Sequence, residues 1–208
     1  MGSAVTSIGV FKHGKLVHAD VVPLGGQHIT HDIARVLCTS VPHAERLKTL
    51  YGGLLAFGKD EHDLISVSRI GEQGIDSLHQ IARSHLTAIV RPRMEEILEL
   101  VGEKIQNAGA PATTCRRAVL SGGAAALPGL RELSRSVLGL ETRIAHVAQG
   151  LRLPDMLRQP SSIVSIGLLA YALDPAAQLV MPVQAQAAIE RQQLGYMRRV
   201  GRWLADSF

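Results

Sequence analysis

The chain has 208 residues, enough for one large domain or two small ones. With 46% hydrophobic residues it can fill a core, which excludes wholesale disorder, and at 3% aromatics that core must be built from Leu, Ile, Val and Ala. A net charge of +4 with so few aromatics offers no stacking platform and excludes a nucleic-acid role of that kind.

Cys38 and Cys115 have neither metal-ligand spacing nor the numbers of a disulfide framework, the pattern of a reducing cytosol. The first residues carry no basic segment followed by an apolar run, so no signal peptide is read. The longest apolar stretch, residues 163–173, is too short to cross a bilayer.

In chain order, Val5, Ile8, Val10 and Phe11 predict a strand, His13-Gly14 a turn, and residues 16–22 a second strand, together a hairpin. Met1 stands almost on the first strand, which reads as a fragment or as a start placed within a longer frame. The Gly25-Gly26 pair precedes a helix with Ile29, Ile33, Val36 and Leu37 at helical spacing. Pro42 opens another helix with an apolar side of Leu47, Leu50 and Tyr51. In it, Glu45 and Lys48 lie three apart, the spacing of an ordinary solvated ion pair as well as of a site.

Residues 55–68 read as a strand or hairpin with a polar turn at 60–63, and Gly71 and Gly74 as loop punctuation. Residues 77–106 carry a long helical pattern that Pro92 should kink or divide, ended by Gly109 as C-cap. Residues 118–120 look like a buried strand. They run into Gly122-Gly123 and then a helix over 131–138, a place where α/β proteins hold ligands, though an ordinary tight turn reads the same way. A short strand at 142–145 and a polar loop at 149–160 follow. The apolar helix over 161–173 must then pack inside the domain.

The Ala- and Gln-rich residues 176–193 read as a linker. On a helix at ~100° per residue, Tyr196, Met197, Val200, Trp203, Leu204 and Phe208 fall in an arc of roughly 140°, with Arg198, Arg199 and Arg202 opposite. A basic amphipathic helix with aromatics on its apolar face predicts an anchor on an anionic membrane surface. The plainer alternative is a terminal helix docked on its own domain.

Together the motifs VPLGGQHITHDIA, AERLK, RPRMEEI and VLSGGAAALPGL, with the basic tail, resemble the C-terminal half of the bacterial cell-division FtsA family, a branch of the actin-like ATPases. The resemblance covers nearly the whole chain and implies an α/β actin-like fold, second half: a mixed sheet with flanking helices and a smaller outer subdomain. It implies an inner subdomain from residues 1–25 and 94–174, an outer one over 26–93, a linker over 175–194 and a membrane-targeting helix over 195–208.

For a cofactor the resemblance implies ATP with Mg²⁺ in the intact protein. It gives Gly2 and Thr6 to the remainder of the second phosphate loop, Gly25 and Gly26 to a turn entering the outer subdomain, Glu45 and Lys48 to the adenine–ribose rim, and Gly122, Gly123 and Ala124 to the adenosine motif. The family's phosphate-loop Asp and its whole N-terminal half have no counterpart here. Weak or no ATP binding, and no hydrolysis, is therefore expected of this chain alone. For partners it implies self-association, an anionic membrane, and the FtsZ C-terminal tail, met by Arg69, Arg83, Arg91 and Arg93. The implied place is the cytoplasmic face of the inner membrane at the division site. The rival readings are a pilus-assembly relative and a sugar-kinase-like ATPase on the same core.

Overall fold

The computed structural model describes residues 1–55, 62–70, 78–108, 116–147 and 153–173. Strands β1 (Thr6–Lys12) and β2 (Lys15–Val22) form the opening antiparallel hairpin. His13 and Gly14 both take positive φ, 50° and 76°, as a two-residue turn matched to strand twist requires. The register slips by one residue beside Val10, and Thr6, Val10 and Val22 turn inward.

Helix α1 (Gly26–Val36) buries Ile29, Thr30 and Ile33 on one stripe, the i, i+4 spacing expected of its sequence. Helix α2 (Val41–Tyr51) is capped by Ser40, whose hydroxyl accepts the His43 N–H, and carries Pro42 in the first turn, where no N–H is needed. Strands β3 (Leu64–Ser68) and β4 (Leu78–Ala82) pair antiparallel, with Ile65 and Val67 buried in alternation.

The 25-residue helix α3 (Arg83–Asn107) packs against α1, α2, both hairpins and α4 (Leu130–Leu138), and so ties the fold together. Strands β5 (Arg117–Leu120) and β6 (Glu141–Ile144) pair in parallel, with α4 between them in sequence. One core cluster joins Ile29 and Ile33 of α1, Leu47 of α2, Leu86, Val90, Met94 and Leu98 of α3, and Leu130 and Leu133 of α4.

Four expectations are corrected. The long helical pattern begins as strand, since Leu78 and Ile81 belong to β4. Pro92 does not divide the helix, since α3 runs without interruption from Arg83 to Asn107. Pro92 and Ala88, whose carbonyl loses its helical donor, both face solvent, while buried Val90 and Met94 hold the helix on either side. The strand β5 is not buried: Val119 is 51% exposed. Finally, helix α5 (Ile163–Leu173) does not pack inside and has no buried residue. The loop before it is partly helical, with 3-10 turns at Asp155–Arg158 and Pro160–Ser162.

Gly71, Gly74 and Gly109 lie outside the described residues, as do the linker and the whole tail from Tyr196 to Phe208. No helix among the described residues is long and apolar enough to cross a membrane.

Candidate nucleotide cleft

Three pieces of backbone converge at the start of α1. The Gly26 N–H donates to the Gly2 carbonyl (2.9 Å) and the Gln27 N–H to the Ser3 carbonyl (2.8 Å). The Met1 ammonium donates to the Ser121 carbonyl (2.6 Å), and the Ala124 N–H to the Met1 carbonyl (3.4 Å). The opening residues thus lie between α1 and the turn after β5, and their carbonyls already occupy the first donors of α1.

A cleft of about 510 Å³ opens beside this junction. One wall is Gly2, Ser3, Gly26 and Gln27; another is Gly123 and Ala124, with Leu127 and Pro128 below; α2 supplies Pro42, Glu45, Lys48 and Thr49. A 3-10 turn, Gly123–Ala126, presents the second wall. A Cβ at Gly123 would meet nothing within 4 Å, so this glycine leaves free space open to the cleft.

The polar centre is a three-residue network. Lys48 Nζ donates to Glu45 Oε2 (2.7 Å), Thr30 Oγ1 (2.7 Å) and the Gly26 carbonyl (2.9 Å), which uses all three of its protons. Thr30 Oγ1 also donates to Glu45 Oε2. Burial pushes the Glu45 carboxyl up, but hydrogen bonds from Lys48 and Thr30 and the ammonium charge outweigh it, and the carboxyl titrates below its ordinary range. The Lys48 side chain is only 12% exposed and Glu45 53%. The lysine is thus a fixed strut, while the carboxylate faces the opening and can accept hydroxyl protons from a sugar-like ligand.

The pair is therefore more than a surface i,i+3 contact, because it reaches across to α1 through Thr30 and Gly26. Sequence reasoning missed Thr30; its signal was a hydroxyl on the apolar stripe between Ile29 and Ile33.

Of the predicted ligand residues, Gly2, Gly26, Glu45, Lys48, Gly123 and Ala124 line this one cleft. Thr6, Gly25 and Gly122 do not. Thr6 is buried and donates to the Leu24 carbonyl (2.9 Å), holding the hairpin base. A Cβ at Gly25 would come within 2.6 Å of both the Gly2 and Ser3 carbonyl oxygens, so this glycine permits backbone approach. Gly122, at φ +98°, abuts the Met1 backbone, and its N–H donates to the Pro160 carbonyl (2.9 Å).

The predicted arginines are dispersed. Arg93 bridges α3 to α1 through both Asp32 oxygens and also pairs with Glu96. The Asp32 hydrogen bonds hold its guanidinium above the ordinary value, against a smaller opposing effect of burial. It lines a shallower depression with Asp32, Arg35, Val36 and Pro92. Arg91 pairs with Glu95 one turn on, Arg83 donates to the Tyr51 carbonyl, and Arg69 is exposed just past β3.

The fold is that of the actin-like ATPases. MreB 5 of Spiroplasma citri bound to AMPPNP superposes over 85% of this chain and 52% of that one, at TM-score 0.60 and 16% identity. The chain from the PilM-PilN type IV pilus biogenesis complex superposes over 81% and 43%, at TM-score 0.58 and 20% identity.

Within that fold the sequence is more specific. Residues 1–167 match the family described as cell division protein FtsA, and the chain belongs to that family. Cell division protein FtsA of Rhizobium meliloti is 40% identical over 210 residues and that of Agrobacterium fabrum 38% over 208, each spanning all of this chain and 47% of the relative. The Escherichia coli protein is 28% identical, again across the whole chain and 50% of its own length. The chain thus spans about half the length of the curated relatives it matches.

Proposed function

We propose that this chain is the nucleotide-facing half of a cell-division filament protein, holding the adenosine part of ATP in the cleft. The observation that carries the reading is the opposition of Gly123, open toward the cleft, and the Glu45–Lys48–Thr30 network across it. Glu45 accepts the ribose hydroxyls, and the Gly123–Ala124 wall lies against the flat base where a larger side chain would intrude. Glu45 is the sole carboxylate on the described wall and is already tied to Lys48, so the described residues assemble no magnesium site.

The rest of the assignment extends the family membership. Residues 26–93 form an outer subdomain that meets the FtsZ tail, and inner residues make actin-like self-contacts. Residues 195–208 bind the anionic cytoplasmic surface of the membrane at the division site. Each arginine near an anionic headgroup adds about 1 kcal/mol, and polymerisation multiplies the weak anchors by avidity. Arg93 enters this reading only by exchanging Asp32 for an incoming carboxylate.

Saturation-transfer NMR with millimolar ATP tests the cleft. Transfer to the adenine and ribose protons is expected in the wild-type chain and lost in Gly123→Val, whose Cβ meets no atom within 4 Å, with thermal denaturation checking that the variant keeps its fold. Equal transfer in both, or none in the wild type, overturns the assignment. Co-sedimentation with anionic liposomes tests the anchor: binding is expected for the whole chain and not for a chain ending at Gln193, and equal binding, or none by either, removes the anchor.

A further inference from the structure

Thr30 is a hydroxyl in an apolar place. It stands on α1 between Ile29 and Ile33, is 1% exposed, and lies against the cleft. A buried hydroxyl costs stability unless its hydrogen bonds are made. Oγ1 accepts from Lys48 Nζ (2.7 Å) and has one proton to give. Two acceptors lie within its reach, the Gly26 carbonyl (3.1 Å) and Glu45 Oε2. The carbonyl already takes a proton from Lys48 (2.9 Å), and a carboxylate is the stronger acceptor, so the Thr30 proton goes to Glu45.

We propose that Thr30 is a positioning residue for the nucleotide: it completes the hydrogen bonds of Glu45 Oε2, leaves Oε1 to the ligand, and so sets a preference for a sugar that carries its 2′ and 3′ hydroxyls. The inference rests on the nucleotide reading of the cleft. Oε2 accepts from both Lys48 and Thr30, two donors for its two in-plane lone pairs. A sugar hydroxyl that donates to Glu45 therefore meets Oε1. Lys48 has spent all three protons within the network and has none for a ligand. Recognition of the sugar by this network thus runs through one carboxylate oxygen.

That oxygen needs holding. The Glu45 side chain is 53% exposed, and an acceptor on a mobile side chain must be ordered when the ligand binds. Lys48 alone ties it to its own helix, since the two residues lie three apart on α2. Thr30 adds a bond from α1, so the carboxylate is fixed from two helices at once. Valine fills nearly the same volume as threonine and lacks only the hydroxyl. Thr30→Val therefore opens a lone pair on Oε2 and frees the carboxylate to turn. A ligand with sugar hydroxyls loses its fixed acceptor, whereas a ligand without them loses nothing at Glu45.

Two measurements on the full chain test this, one with nucleotide and one without. Saturation-transfer titrations give the affinities of ATP and of 2′,3′-dideoxy-ATP. Wild type should prefer ATP several-fold, Thr30→Val should bring the ratio close to one, and Thr30→Ser, which keeps the hydroxyl, should restore it. Circular dichroism checks that both variants keep the fold. Without nucleotide, carbon-13 NMR follows the glutamate carboxyls with pH, and Glu45→Gln assigns the signal. Glu45 should titrate below the ordinary range in wild type and Thr30→Ser, and move up toward it in Thr30→Val. Equal weakening of both nucleotides in Thr30→Val overturns the proposal, because a merely structural threonine acts in that way. So does a Glu45 titration that Thr30→Val leaves unmoved, or a Thr30→Ser that behaves as Thr30→Val. A titration that moves as expected, in a chain that binds neither nucleotide, upholds the fixing of Glu45 by Thr30 and overturns the nucleotide reading instead.

Discussion

Helices α1 and α5 have the same length and opposite fates. Both have 11 residues, yet α1 buries Gly26, Ile29, Thr30 and Ile33 whereas α5 buries none. α5 is much the more apolar of the two. What separates them is arrangement: α1 sorts its apolar residues onto one stripe and sets His28, His31 and Asp32 around it, so only one orientation satisfies it. α5 carries no polar face to fix an orientation, and within the described residues no element covers it. Apolar content says that a helix will be covered; periodicity says by which side.

The sharpest break of this comparison is to truncate matched residues on both sides. Leu98→Ala, in the shared core on α3, should cost about 2–5 kcal/mol, the range for a fully buried leucine. Leu168→Ala on α5 should stay within about 0.5 kcal/mol, as a surface change does. Urea denaturation of the two variants checks this, and a large cost at Leu168 would show that α5 is covered within the folded chain.

The glycines beside the cleft make a smaller contrast of the same kind. Gly122→Ala places a side chain at φ +98° against the Met1 backbone, and should cost about 1–3 kcal/mol. Gly123→Ala, one residue on and facing open space, should change the melting temperature little while reducing the cleft. Next in size is Asp32→Ala. It removes the bridge from α1 to Arg93 but leaves the arginine Glu96, and a loss of about 1–2 kcal/mol is expected in the same assay.

Much of this was legible in the residues and some was not. The hairpin at His13-Gly14, the Ile29 and Ile33 part of the α1 stripe and the Pro42 start of α2 each follow from a local rule, and the structure has them, whereas Val36 on α1 and Leu50 and Tyr51 on α2, read as apolar-side residues, are exposed. The cleft was legible as separate motifs; Glu45, Lys48, Gly26 and Gly123 converge because α1, α2 and the turn after β5 meet on the opening residues. Local spacing cannot tell which of two adjacent glycines faces a ligand. Gly122 turned to the backbone and Gly123 to the cleft because the Met1 carbonyl takes the Ala124 N–H. Nor could it separate β4 from α3, since Leu78 and Ile81 fit a helical period as well as a strand edge. The fate of α5 is set by what lies against it, which no local pattern encodes.

The smallest effect is the most diagnostic for the network. Glu45 titrates lower in the folded chain than unfolded, so its bonds to Lys48 and Thr30 contribute stability above the unfolded carboxyl value, about 4.3. That contribution fades as pH falls through the lower folded value. Since Glu45 is half exposed, solvent screening keeps it to a few tenths of a kcal/mol. Glu45→Gln should therefore be slightly less stable than wild type at pH 7, with the gap closing below about pH 4. Thr30→Val should lose more than Glu45→Gln at every pH, because it leaves Lys48, only 12% exposed, short of a partner that does not titrate. If both variants lose stability equally and without pH dependence, the network is a packing contact, and the carboxylate is free to answer to a ligand alone.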